Sequence, residues 1–142
     1  MQGDAHVYSI ECNSCNTRVS HHSCHMPMSA VPDSIGDMDA LKRLERFGGL
    51  KLRVELTTLF LEEAPSRVAS ARAAVTAGNV EAIRAMAHML KSSAGQMGAV
   101  RVQRLCERLE VDALPSDLAG ALSEIDDEIA RYSGWLETTT SP

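Results

Sequence analysis

Apolar residues recur three and four positions apart through most of the chain after residue 36, and this spacing most constrains the fold. It is clearest near the C-terminus, at Leu118, Leu122, Ile125, Ile129, Tyr132 and Leu136. Because an α-helix has 3.6 residues per turn, such spacing places the apolar side chains on one helical face. Strand-type runs with a period of two are nearly absent, and aromatic residues make up only 4% of the chain. The sequence therefore predicts an all-α fold.

Glycine and proline residues divide this periodic region into helical segments. The predicted segments are a short helix over 37–47 and four principal helices over 50–77, 79–97, 99–111 and 118–136. Asp37 is the expected N-cap of the short helix, and Gly48-Gly49 ends it. Because the connections are short, consecutive helices should be antiparallel. The expected architecture is an up-down four-helix bundle with a short additional N-terminal helix.

Pro65 lies inside the segment 50–77. Proline lacks a backbone N–H and clashes with the carbonyl four residues earlier, so a kink near Leu61 is expected. The alternative is a pair of separate helices that break at Pro65.

Residues 1–35 have no sustained periodicity and are predicted to be a loosely ordered tail, followed by a domain over 36–137 and a frayed end over 138–142. The tail is rich in cysteine and histidine, and a zinc site could draw on Cys12, Cys15, Cys24 and His25. A zinc module normally has two well-spaced ligand pairs and apolar packing of its own. The pattern therefore fits a tail with incidental thiols better than a zinc site.

Composition and charge exclude several classes of function. The net charge is −5, so no nucleic-acid-binding surface is expected. No apolar run approaches the roughly 20 residues of a membrane span, and the N-terminus lacks the pattern of a secretory signal. There is no glycine-rich nucleotide loop, so the chain is not expected to fuel its own phosphorylation. We expect a soluble, cytoplasmic monomer.

The stretch from His88 to Glu110 reads HMLKSSAGQMGAVRVQRLCERLE. On a helical wheel the core stripe consists of Ile83, Met86, Ala87, Leu90, Ala94 and Met97. His88 falls nearly opposite this stripe and should face solvent. Lys91 lies one turn further on, and the small residues Ser92 and Gly95 share the same side. Something large could therefore approach the imidazole ring.

This stretch resembles the phosphoacceptor motif of histidine-containing phosphotransfer (HPt) domains, H-x-L-K-[G/S]-S-[S/A]-x-x-hydrophobic-G-[A/L]. The matching residues are His88, Leu90, Lys91, Ser92, Ser93, Ala94, Met97, Gly98 and Ala99. The family often continues with C-E-R-[L/I]-[E/Q] on a second helix, which matches residues 106–110. Ser92 stands where glycine is commonest and Ala94 where a second serine is common, and both substitutions keep the side chain small. The resemblance covers about residues 36–137.

The chemistry of His88 fits this resemblance. A neutral imidazole is a nucleophile near neutral pH, and Lys91 can offset the charge of a phosphoryl group. The resemblance implies that Glu110 accepts a hydrogen bond from Nδ1, which leaves Nε2 to attack. The wheel places His88 far from the core, so Glu110 reaches it only if the helices are rotated from that estimate. An ordinary exposed helix histidine is the alternative, and the full motif outweighs it.

The resemblance implies a phosphocarrier without turnover of its own. It would accept phosphate on His88 from the receiver domain of a hybrid sensor histidine kinase and pass it to the receiver of a response regulator. No cofactor is expected in the domain, and Mg²⁺ is expected in the partner receiver. Leu41, Leu44 and Phe60 are candidate docking residues for the receiver, although any of them could belong to the core. The alternatives are a module that binds receivers without phosphotransfer and a zinc protein.

Overall fold

The computed structural model describes residues 33–111 and 117–140, and all regular structure in these ranges is α-helical. The helices are α1 (Met38–Thr76), α2 (Val80–Met97), α3 (Val100–Val111) and α4 (Leu118–Thr140). α1 and α3 both pack against α2 and α4, so the four helices form a bundle. The predicted all-α fold is confirmed. None of the helices in these ranges combines the length and the apolar character that a membrane crossing requires.

Helix α1 consists of two helical segments joined at Gly48 and Gly49. Asp37 caps its start, because the Asp37 carboxylate accepts a hydrogen bond from the Asp39 N–H at 2.9 Å. Gly49 has a φ of 75°, a left-handed value that favours glycine. The short helix over 38–47 therefore ends where the sequence predicted.

Helical dihedral angles continue through Pro65. The alternative prediction of two helices that break at Pro65 is therefore wrong. Pro65 lies on the exposed side of α1, where water can replace the backbone donor that proline lacks.

The core runs along the centre of the bundle and contains side chains from all four helices. The largest fully buried side chains are those of Tyr132, Leu41, Ile83, Leu90, Leu122, Ile125, Val68, Val102 and Cys106. The ring of Phe60 meets that of Tyr132 edge to face, and Tyr132 stacks on Trp135. Burial of each large apolar side chain contributes about 2 kcal/mol, so these side chains hold the helices in one arrangement.

The turn between α2 and α3 is held from two sides. Gly98 has a φ of 75°, and its carbonyl accepts a hydrogen bond from the Asp37 N–H at 2.8 Å. The hydroxyl of Tyr132 on α4 donates to the carbonyl of Met97. These contacts fix the point where α3 begins, and so help to set which α3 residues lie beside α2.

Candidate functional site

His88 lies on the outer side of α2, and its side chain is 63% exposed. Its Nδ1 is 2.7 Å from Oε1 of Glu110, in the last turn of α3. A carboxylate can only accept hydrogen bonds, so Nδ1 of a neutral ring must be the donor. The Nε2 atom then carries the lone pair. The contact therefore assigns one tautomer to an exposed imidazole.

Glu110 also contacts Lys91. The Nζ atom of Lys91 is 2.5 Å from Oε2 of Glu110, so the carboxylate bridges the ammonium and the imidazole. The hydrogen bond from Lys91, followed by that from His88, holds the pKa of Glu110 below its ordinary value of 4.5. Glu110 is therefore charged at neutral pH.

The packing of α2 against α3 explains how these three side chains meet. Leu90 and Ala94 of α2 are fully buried, as are Cys106 and, nearly, Leu109 of α3. Glu110 follows Leu109 and lies at the border of the core, where its long side chain reaches across to α2. His88 thus lies close enough to the α2–α3 border for contact, although the wheel placed it far from the core.

The small residues beside His88 line a shallow surface groove. The Ser92 hydroxyl donates to the His88 carbonyl at 3.2 Å, so the side chain is folded against its own helix. A Cβ added at Gly95 would lie 3.1 Å from Nε2 of Gln103, a tight contact with α3. The groove is lined by Ala40, Arg43, Leu44, Phe47, Ser92, Gly95, Gln96 and Gln103.

Two of the three candidate docking residues lie in the core and not in the groove. Leu41 is 0% exposed and Phe60 is 5% exposed, so both belong to the core. Exposing either to a partner would forfeit about 2 kcal/mol of apolar burial, and the prediction that they are surface anchors is wrong. Leu44 is half-buried and lines the groove.

The sequence-based prediction missed Phe47, whose side chain is 87% exposed at the edge of the same groove. A signal was available in its position directly before Gly48-Gly49. A side chain at the last position of a short helix has no following turn to cover it.

The candidate zinc ligands Cys12, Cys15, Cys24 and His25 lie outside the described residues. Within 33–111 and 117–140, no group of three or more histidine, cysteine, aspartate or glutamate side chains could hold a metal ion.

The family model of the Hpt domain matches residues 55–135. The chain belongs to the Hpt domain family. The matched range contains His88, Lys91 and Glu110, and it begins after the short helix of α1.

Among solved structures, the chain is similar to histidine-containing phosphotransfer protein B (HptB) from Pseudomonas aeruginosa PAO1. The two share 24% sequence identity with a TM-score of 0.68, over 76% of this chain and 96% of that one. At this identity the likeness shows a shared fold. A search of curated proteins finds no match.

Proposed function

We propose that this protein is a phosphotransfer intermediate that carries phosphate on Nε2 of His88. The observation that supports this most directly is the 2.7 Å contact between Nδ1 of His88 and Glu110. It pairs an exposed ring with a carboxylate that selects the nucleophilic tautomer.

In the proposed reaction, the Nε2 lone pair attacks the phosphorus of an aspartyl phosphate on a receiver domain. The N–P bond forms as the P–O bond to the aspartyl group breaks, and the aspartate leaves as a carboxylate. The Nδ1 proton stays hydrogen-bonded to Glu110, whose negative charge stabilises the positive charge that develops on the ring. Transfer to a second receiver is the reverse of these steps, with a new aspartate as the acceptor.

Lys91 has the proposed role of offsetting the charge of the phosphoryl group. In the unphosphorylated protein its ammonium is paired with Glu110. Because Lys91 follows His88 by three residues, its side chain can turn from the carboxylate to the phosphoryl oxygens on the same helix.

The small side chains of Ser92 and Gly95 have the proposed role of leaving room for the receiver to approach. The partners would be a hybrid sensor histidine kinase and a response regulator, with Mg²⁺ in the receiver. The protein would act as a carrier without turnover of its own. These partners act in the cytoplasm, and we assign the protein to the same compartment.

The direct test is the His88→Gln variant. It should lose the acid-labile, base-stable label that the wild-type protein acquires from a phosphorylated receiver, because His88 is the only histidine after residue 25. The free energy of unfolding should change by no more than about 0.5 kcal/mol, since the side chain is exposed. Circular dichroism of the variant controls for its fold. Persistent labelling of a folded His88→Gln protein would refute the assignment.

A further inference from the structure

The short helix over 38–47 carries an exposed basic cluster formed by Lys42, Arg43 and Arg46. Within the described residues, none of these three side chains takes part in an ion pair. Glu45, the acidic residue among them, is bound instead by Arg53 further along α1. The three cations are therefore free of ion pairs in the described part of the chain, although Asp39 lies one turn before Lys42 and Arg43 and the chain as a whole has a net charge of −5.

The basic cluster lies beside exposed apolar surface. Phe47 follows it directly and is 87% exposed, while Leu44 lies within it and is half-buried. Arg43, Leu44 and Phe47 line the same groove, so a partner that covers the aromatic ring also meets Arg43. Lys42 and Arg46 do not line the groove, but they are the sequence neighbours of Arg43 and Phe47. Apolar and aromatic groups with arginine nearby are typical of protein interfaces.

The groove extends toward His88. Its opposite wall includes Ser92 and Gly95 of α2, which follow His88 by four and seven residues. These positions lie about 6 Å and about 10 Å from His88 along the helix axis. A partner domain that places a reacting group at His88 is wide enough to cover the groove as well.

We propose that this groove selects its receiver by charge, and that the receiver presents an apolar patch bordered by carboxylates. This inference rests on the proposed function and adds the chemistry of the partner surface. Cations without an ion-pair partner attract such a border, and long-range attraction of this kind raises the rate of association. Phe47 and Leu44 supply the apolar contact once the two surfaces meet.

The test compares two variants with the same change in net charge. The first carries Lys42→Gln, Arg43→Gln and Arg46→Gln. The control carries Ala119→Glu, Ser123→Glu and Ala130→Glu, at exposed positions of α4. None of these three positions lines the groove, so the control makes the same change in net charge outside it.

The probes are receiver domains from the same source, phosphorylated with acetyl phosphate, and the receiver that labels wild-type protein fastest is used throughout. Single-turnover transfer is measured over a range of receiver and salt concentrations. In the glutamine variant, the half-saturating receiver concentration should rise about 10-fold at low salt and depend less on salt. The maximal rate should be unchanged, and the control should behave as the wild type.

The outcomes separate the two proposals. If no receiver labels the wild-type protein, the proposed function fails. If the wild type is labelled and the glutamine variant shows the same half-saturation and salt dependence, only the charge-selection inference fails. The inference is also overturned if light scattering shows that the wild type dimerises and that the glutamine substitutions abolish the dimer, because a second copy would then occupy the groove. Equal labelling of both variants by phosphoramidate, a small phosphodonor, verifies that His88 is intact.

Discussion

At the scale of single residues, Glu110 connects the groups at the proposed phosphoacceptor site. It is the one carboxylate of the described residues that contacts both His88 and Lys91. These contacts favour its charged form and hold its pKa below the ordinary value. The same contacts link the stability of the protein to pH.

The Glu110→Gln variant tests this linkage. A carboxylate whose pKa is lowered by folding contributes stability above its unfolded-state pKa, and that contribution is lost as the pH falls through the folded-state pKa. The wild type should therefore be more stable than the variant at neutral pH, and the difference should vanish in acid, below the ordinary value of 4.5. Urea denaturation of both proteins at a series of pH values measures this difference in the free energy of unfolding. A difference that does not change with pH would contradict this account.

At the scale of secondary-structure elements, the exposed face of α2 leaves space around His88. Ser92 lies one turn after His88, and its small side chain is folded back onto the helix. A large residue at this position would project into the proposed path of a receiver.

The Ser92→Trp variant should therefore transfer phosphate from a receiver at least about 10-fold more slowly, because the indole ring prevents close approach. The helix content should be native, since Ser92 is exposed. Labelling by phosphoramidate provides the control, because this small donor can reach His88 without the space that a receiver domain needs. Normal transfer from the receiver to a folded variant would refute the steric argument.

The turn between α2 and α3 depends on Gly98. An alanine there would have an unfavourable positive φ, and its Cβ would lie 2.6 Å from the Asp37 carbonyl oxygen. The Gly98→Ala variant should lose about 2 kcal/mol of stability. Gly134 in α4 is the matched control, because a Cβ added there would meet nothing within 4 Å beyond its chain neighbours and the backbone of its own helix. Gly134→Ala should stabilise the protein by up to about 1 kcal/mol. If urea denaturation gave both variants the same change in the free energy of unfolding, the geometry of the turn would not explain the effect at Gly98.

At the scale of the whole molecule, the proposed chemistry is confined to the helical bundle. A variant that starts at Met28 should accept phosphate as fast as the full chain, because His88, Lys91 and Glu110 all lie in the bundle. The zinc content of the two proteins should be equal if the tail thiols are incidental. Loss of labelling in the shortened protein, or zinc bound only by the full chain, would assign a function to the first 27 residues.

Much of the fold follows from the sequence, because helical periodicity and chain breaks are local properties. The spacing of apolar residues predicts the four principal helices, and Gly48-Gly49 predicts the end of the short one. The motif around His88 indicates the family for the same reason, since its residues lie on adjacent turns of one helix and at the start of the next.

The contacts of the site depend on tertiary structure. Periodicity shows which face of a helix is apolar, but it does not show which neighbouring helix covers that face or how the two are rotated. Leu41 and Phe47 lie on the same short helix, yet only Leu41 is covered by the bundle, since Phe47 lies at the end of its segment. Glu110 meets His88 across 22 residues of sequence because the packing of α2 on α3 brings them together. The sequence by itself determines the helices and identifies His88 as the residue proposed to react, whereas helix packing decides what surrounds that residue.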